Sequence, residues 1–417
     1  MTDSYRLLFA AFEAAVNAAR APALIPYLNA LPKIQGQRRF LLVGKAAASQ
    51  AEVLESVIER PNGLCIVPKG HAVQTTLQVI EATHPTPDAG SIEAALAAMA
   101  LAESTEADDQ LVCLISGGGS SLMSAPLPGM DPALKLEVHR ALLASGASIS
   151  ELNTVRKQLS LVKGGRLAQA CRGSLVNLLV SDVPQDRVEM IASGPAVPAY
   201  TSQSDAMDVL ERYEIGLRTA LEPWLTDPAH ATPEPSDACF QRVTTHIVAA
   251  PSRSLECAAE VLASEGVDCW ILGDSIEGPS EVVARVMADT ALWQQRKGKL
   301  SRPLCLLSGG ETTVRVTGDG VGGPNAHFAL TLLDALQGTP GIAAMVCDTD
   351  GVDGAAEIAG AYVDEHTLEL ARQRGLNHLD ALARQDAHTF FSALDQSVVP
   401  GPTGTNVNDF RAILITP

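Results

Sequence analysis

Aromatic side chains are scarce in this chain, 4% of 417 residues, although hydrophobic residues make up 46%. Its cores are therefore built from Ala, Val, Leu and Ile rather than from stacked rings. Positive charge is in deficit as well. Thirty Lys and Arg against 48 Asp and Glu leave a formal net charge of −18, which argues against nucleic acid and anionic membranes as partners. An anionic small molecule would need a local cluster of cations to overcome that background. The eight cysteines, at 65, 113, 171, 239, 257, 269, 305 and 347, lie too far apart in sequence for a C-x-x-C pair, so neither a redox dithiol nor a zinc knuckle is encoded. Cys65, Cys113, Cys305 and Cys347 sit in apolar runs and read as buried, reduced thiols of a cytoplasmic protein. No apolar run approaches the ~20 residues needed to span a bilayer. The opening MTDSYRLLFAAFEAAVNAA, with Asp3 and Glu13, reads as an amphipathic helix rather than a signal peptide.

Three catalytic phrases are missing too. A nucleophilic serine elbow needs G-x-S-x-G, and Gly118-Gly119-Ser120-Ser121-Leu122 fails at its last position. A Walker A loop needs G-x-x-x-x-G-K-[ST], but Arg39 stands at its first glycine and Ala46 follows Lys45. The dinucleotide fingerprint G-x-G-x-x-G is absent, because Gly117-Gly118-Gly119 runs on into Ser120, Ser121 and Leu122.

What is present is an alternation. The apolar runs 38–44, 63–68, 111–116, 174–182, 246–250, 267–272, 303–308, 343–348 and 411–416 read as buried strands, with helical stretches such as 91–105 between them. Continuous apolar strands separated by helices predict an α/β fold with parallel sheets covered on both faces. The length exceeds one ordinary core, and WLTDPAHATPEPSDA (224–238) marks the boundary. Two domains follow, 1–232 and 239–417. The strands end in polar or glycine residues (Gly44-Lys45, Ser116-Gly117, Ser181-Asp182, Ser308-Gly309, Asp348), on the side where open parallel sheets bind ligands. The phrases CLISGG (113–118) and CLLSGG (305–310) appear once in each half.

The turn at Ser116, Gly117, Gly118, Gly119, Ser120 and Ser121 is left with two readings, an anion cradle or a turn that merely packs. Glycines admit backbone N–H groups close to a ligand and serines add donors. A basic stretch, NTVRKQLSLVKGGRLA (153–168), favours the cradle. Arg156, Lys157, Lys163 and Arg166 occur there with no acid among them, and Arg156, Ser160 and Lys163 would share one helical face. Carboxylates follow at Asp182 and Asp186 and at Asp348, Asp350 and Asp353. Beside a cationic phosphate site, such groups suit magnesium; turn-forming Asp residues are the alternative. DTDGVDGAAEIAG lacks the final glutamate of a calcium loop, Ala359 standing there.

These segments together resemble the glycerate 2-kinase family, whose second half is the MOFRL domain. The words are LLVGKAA (41–47), THPTPD (83–88), CLISGGGSSLMSAP (113–126), NTVRKQLSLVKGGRLA (153–168), LLVSDVPQDRVEMIASGP (178–195), LSGGETTVRVTGDGVGGPNAHFAL (307–330), DTDGVDG (348–354) and PTGTNVNDFRAIL (402–414). The resemblance implies a Rossmann-like N-terminal domain and a smaller α/β MOFRL-type C-terminal domain. It implies ATP- and magnesium-dependent phosphorylation of D-glycerate at the 2-hydroxyl, with Lys45 as the catalytic lysine. Within the words, Ser116 to Ser121, Asn153, Arg156, Lys163, Glu311, Asn325 and Asp353 are the candidates to bind substrate or phosphate, and Asp182 and Asp186 to hold the metal. Pro324 stands where the family has arginine, and Gln158 where it usually has histidine. Two other functions stay open at this point: a hydroxypyruvate reductase, and a non-catalytic sensor of a small phosphorylated acid.

Overall fold

A computed structural model describes residues 2–297, 300–315, 320–354 and 357–417. The chain forms two compact units, residues 21–248 and residues 1–20 with 249–417.

In the unit 21–248, six strands form one sheet: β1 (Arg38–Val43), β2 (Gly63–Pro68), β3 (Gln78–Ala82), β4 (Gln110–Ile115), β5 (Ser174–Val180) and β6 (Val243–Ala249). Their order is β3-β2-β1-β4-β5-β6, the order of Rossmann sheets. The pairings from β3 through β5 are parallel. Alternate residues of β1 serve the two faces. Leu41 and Val43 pack with Ala94, Ala95 and Ala98 of the helix Ala89–Glu103. Phe40 and Leu42 pack with Ala47, Ala51 and Leu54 of the helix Ala47–Val57. Alanines on the packing face let a helix lie close to a sheet, which is how the chain fills two layers with few rings. Strand β3 was not anticipated. It is an edge strand carrying Gln78 and Glu81, so it lacks the apolar run that reveals the central strands.

The other unit holds β7 (Asp268–Gly273), β8 (Gly278–Pro279), β9 (Leu304–Ser308), β10 (Thr312–Thr313), β11 (Ile342–Asp348), β12 (Gly360–Val363), β13 (Ser397–Val398) and β14 (Asp409–Ile415). Its main sheet runs β13-β12-β11-β14-β9-β7. Only β7 and β9 pair in parallel there; β9–β14, β14–β11, β11–β12 and β12–β13 are antiparallel. The expectation of parallel sheets throughout is corrected here. Burial on both faces, by the helices Ser280–Lys297 and Pro324–Leu336 on one side and Asp3–Ala19 and Pro251–Ser264 on the other, gives continuous apolar strands whatever their direction.

The helix Asp3–Ala19 belongs to this second unit and not to the first domain as read from sequence. Thr2 caps it by accepting from the Tyr5 N–H at 3.2 Å. Phe12 meets Phe410 at 5.7 Å between centroids and Tyr5 meets Tyr362 edge-on at 5.2 Å. Among the described residues no single helix is long and apolar enough to cross a membrane.

Candidate functional site

The first glycine turn sits at the carboxyl ends of β1 and β4, which are neighbours in the sheet. From β1 the chain moves outward through β2 and β3, and from β4 it moves the other way through β5 and β6. This reversal is the switch point at which open α/β sheets bind ligands. The Lys45 N–H donates to the Gly117 carbonyl at 2.8 Å and the Ala46 N–H to Ser116 Oγ at 3.1 Å. Ser116 thus fixes the turn that presents Lys45, whose side chain is exposed.

The run of three glycines has three separate causes. A Cβ at Gly117 would collide with the Asp182 carboxylate. Gly118 has φ of +83°, and a Cβ there would stand 3.1 Å from the His84 ring and 3.4 Å from Lys45 Cγ. At Gly119 a Cβ would come within 3.0 Å of the Ala192 methyl. The turn is therefore where Lys45, His84, Asp182 and the segment around Ala192 converge on one stretch of backbone. The helix that follows, Gly119–Leu122, is a single turn, so its dipole adds little to anion binding.

Beside the turn opens a cavity of about 540 Å³, lined by Gly118, Ser120, Ser121, Ser124, His84, Asp88, Lys135, His139, Arg156 and Lys163 among apolar residues. The helix carrying Asn153 and Arg156, Ile149–Gln158, begins with a capping box between Ser148 and Glu151. It ends before Ser160 and Lys163, so these do not share a helical face with Arg156. Arg156 and Lys163 still reach the same cavity, because the chain loops back after Gln158. Lys163 Nζ donates to the Ser120 carbonyl at 2.7 Å and to that of Met123 at 3.0 Å. The other two bases of that stretch are structural. Lys157 is buried, and Arg166 donates to the carbonyls of Lys157 and His230 at 2.7 and 2.6 Å. Gln158, fully buried, donates to the Thr201 carbonyl at 2.7 Å.

Two cavity residues escaped the sequence reading. Lys135 Nζ donates to the Ala125 carbonyl at 2.7 Å and to Ser124 Oγ at 3.3 Å. His139, one turn further along the helix Pro132–Ala144, accepts at Nδ1 from Arg156 Nε at 3.2 Å and Nη2 at 2.9 Å. Burial, with Arg156 next, pushes His139 down to about 4, which keeps it neutral and able to accept. Burial also lowers Lys135 to about 7, helped by Arg156 and Arg166, and holds Lys163 well below the ordinary lysine range. Among the described residues no carboxylate pairs with Lys135, Arg156 or Lys163 within salt-bridge distance.

Asn153 supports the turn from behind. Its Oδ1 accepts from Ser193 Oγ at 3.0 Å, and Ser193 Oγ lies 2.9 Å from Ser120 Oγ. Ala192 and Ser193 both have positive φ, +50° and +61°, a conformation that costs non-glycine residues of order 1 kcal/mol or more and collects at functional sites. Ser121 Oγ donates to the Gly118 carbonyl at 3.0 Å. Asp182 is half-buried against Gly117; burial raises its carboxyl and Lys45 opposes that rise. Asp186 also has positive φ, +51°. Among the described residues no three His, Cys, Asp or Glu side chains are grouped to hold a metal ion.

The candidates of the second unit are disposed differently. Glu311 is exposed. Asp353, fully buried, accepts from the N–H groups of Asn325 and Ala326 at 2.9 and 2.8 Å and so caps the helix Pro324–Leu336. Its carboxyl is raised to about 6 by burial, against those hydrogen bonds. Pro324 occupies the first position of that helix, where its missing N–H costs nothing. Asn325 Nδ2 donates to Asp409 Oδ1 at 2.7 Å, and Asp409 also pairs with the fully buried Arg411. Arg411 Nη1 donates to the Gly309 carbonyl at 2.9 Å. A Cβ at Gly310 would strike the backbone of Ile276. The second Ser-Gly-Gly phrase thus packs on protein where the first lines a cavity.

The chain matches two family descriptions, a domain of unknown function (DUF4147) over residues 7–226 and the MOFRL family over residues 304–409. A D-glycerate 2-kinase of Thermotoga maritima is 34% identical over 392 residues, 92% of each chain. The chain belongs to the glycerate 2-kinase family. The crystal structure of a Thermotoga maritima glycerate kinase has the same fold, with a TM-score of 0.90, 32% identity and coverage of 99% of this chain and 100% of that one. An Agrobacterium vitis protein provisionally named hydroxypyruvate reductase is 43% identical over 89% of this chain and 97% of its own. As a member of this family, the protein is an enzyme of the glycerate kinase type.

Proposed function

We propose that this family member transfers the γ-phosphoryl group of ATP to the 2-hydroxyl of D-glycerate, giving 2-phospho-D-glycerate and ADP. The observation that carries the reading is a cation-lined cavity at the sheet's switch point, beside an exposed lysine, in a chain of net charge −18. In the reaction the 2-hydroxyl oxygen attacks the γ-phosphorus, the bond from that phosphorus to the bridging oxygen of ADP breaks, and the hydroxyl proton is released to solvent. Such a step asks the protein for positioning and charge neutralisation more than for covalent chemistry. Lys45 supplies charge at the turn, Gly118 and Ser120 line the approach, and Asn153 through Ser193 fixes Ser120. Asp182 fits a magnesium ion, which takes one or two carboxylates and fills its other positions with water and phosphate oxygens; Asp186 is the further candidate. When bound, the ion neutralises the phosphate oxygens. Asn325 and Asp353 support the Ser308–Gly310 turn through Asp409, and with the exposed Glu311 they remain the second unit's candidates to bind substrate or phosphate.

The second reading, hydride transfer to hydroxypyruvate, is favoured by the Rossmann strand order and by the name of the Agrobacterium vitis relative. It is weakened by the turn after β1. Gly44-Lys45-Ala46-Ala47 lacks the glycines that admit a pyrophosphate, and Ser116 stands where a Cβ at Gly44 would point. Purified protein should consume ATP when given D-glycerate and magnesium, and should leave NADH and NADPH unoxidised when given hydroxypyruvate. Oxidation of either nucleotide without ATP consumption would replace the first reading with the second.

A further inference from the structure

The helix Ser280–Lys297 buries one face and leaves the opposite face apolar as well. Ala284, Met287, Ala288 and Ala291 are buried in one core with Leu306 and Leu330. With about 100° between successive residues, Val282, Val286 and Trp293 fall together on the far side. They are 53%, 61% and 57% exposed, where a surface helix ordinarily presents charged and polar residues. In the same unit β7 is the last strand of its sheet, with β9 its only neighbour. Trp270, Ile271 and Leu272 of β7 are exposed in succession, at 48%, 43% and 40%. Trp270 pairs with Leu306, which belongs to the core beneath the helix, so Trp270 lies on the helix's side of the sheet. Three adjacent exposed apolar residues mark a surface with an occupant.

The kind of occupant follows from a bulge and from charge. The register of β7 with β9 shifts after Ile271, and bulges twist an edge away from the addition of another strand. The partner is therefore gripped by side chains along the helix. The helix is complementary to itself. Glu281 stands in its first turn, Arg296 and Lys297 in its last, and all three are exposed. Asp289 is exposed on the apolar stripe, and among the described residues no cation pairs with it. Arg285, one turn earlier, reaches Asp334 at 3.1 Å yet stays exposed. A two-fold axis crossing between Met287 and Ala288 lays the helix antiparallel on a copy of itself and sets Val282 opposite Trp293 of the other copy. Asp289 then comes beside Arg285 of the other copy, and Glu281 within a turn of its Arg296 and Lys297. Opposite charges thus meet along a helix ~27 Å long, in a chain whose net charge of −18 otherwise sets two copies against each other. Trp270, Ile271 and Leu272 extend the patch toward the roughly 800 Å² per partner that a stable interface covers.

We propose that the protein is a two-fold dimer in which the helix Ser280–Lys297 packs antiparallel against the same helix of a second copy, with Trp270, Ile271 and Leu272 at the margin of the contact. The proposal is independent of the kinase reading, since neither the cavity nor the turn at Lys45 takes part.

Sedimentation equilibrium of the full chain at micromolar concentration should give twice the mass of one chain. Val286→Lys changes an exposed helix position and should raise the dimer dissociation constant at least about ten-fold. Glu281→Lys should weaken the dimer too. Adding Arg296→Glu and Lys297→Glu to it should return the constant toward the parent's, a rescue that mere loss of folding would not show. Near-ultraviolet circular dichroism checks that each variant keeps its native packing. A parent chain that sediments as a monomer would overturn the proposal. So would a dimer whose constant is unmoved by Val286→Lys and Glu281→Lys, because its interface then lies elsewhere. Weakening by Glu281→Lys that the reversed charges fail to rescue would reject the antiparallel helix pairing.

Discussion

Lys45 follows the buried end of β1, Phe40 to Val43, yet is itself exposed, so its value is expected in its charge. Lys45→Ala should lower kcat roughly 10²–10³-fold, the scale of losing one group aimed at developing charge, with an unchanged melting temperature. A variant with full turnover and a lowered melting temperature would mean a packing role. Lys135 makes a pH prediction. In the free protein it loses its proton near 7, whereas in an unfolded chain it keeps it to about 10.4. Between these values the folded state binds fewer protons, so its contribution to stability grows as pH rises through that window. Anion binding needs the charged form, and its affinity should fall as pH rises through about 7. Arg156, Lys163 and His139 face the same space, so the test compares the ATP KM of the parent and of Lys135→Met across pH 6 to 9. The variant should lose that part of the pH dependence. Lys45 was singled out in sequence by the resemblance, together with its place at a strand end. Lys135 and His139 were not, because one lysine and one histidine on an amphipathic helix look like a solvated face until the fold turns that face onto Arg156.

The same three-residue phrase does two jobs in two elements. After β4, the phrase ends at Gly118, which lines a cavity; after β9, Ser308-Gly309-Gly310 is covered by Ile276 and Arg411. Sequence identified both as strand-to-glycine turns, but what lies over a turn is set by distant segments. Gly117→Ala should therefore force Asp182 aside and cost about 1–3 kcal/mol, the range of overpacking, together with most of the activity. Differential scanning calorimetry and kcat on the same preparation measure both. Asn153→Ala removes the acceptor for Ser193 Oγ and should cost about 1 kcal/mol while lowering kcat more than it raises the KM for ATP. Nine strand positions were legible from apolar runs, whereas β3, β8, β10, β12 and β13 were not. Strand direction in the second unit was not, since a strand covered on both faces has the same composition whether its neighbours run with it or against it.

At the scale of the whole molecule, linear order misled at one place. The chain's first helix packs with Pro251–Ser264 and the β11 and β14 strands through Phe12, Val16 and Phe410, so the second unit is assembled from both ends of the sequence. Nothing in an amphipathic helix names its partner. A chain lacking residues 1–20 should show a lowered melting transition for the unit containing 249–417, and near-parental stability would contradict that packing. The central claim concerns chemistry: a Rossmann-ordered sheet whose switch point has become a phosphoryl-transfer site. Its most direct test is to incubate the protein with ATP, magnesium and D-glycerate and couple the product to enolase with no phosphoglycerate mutase present. The account predicts immediate phosphoenolpyruvate formation, abolished by Lys45→Ala. Signal that appears only once mutase is added would place the phosphoryl group on the 3-hydroxyl and contradict it.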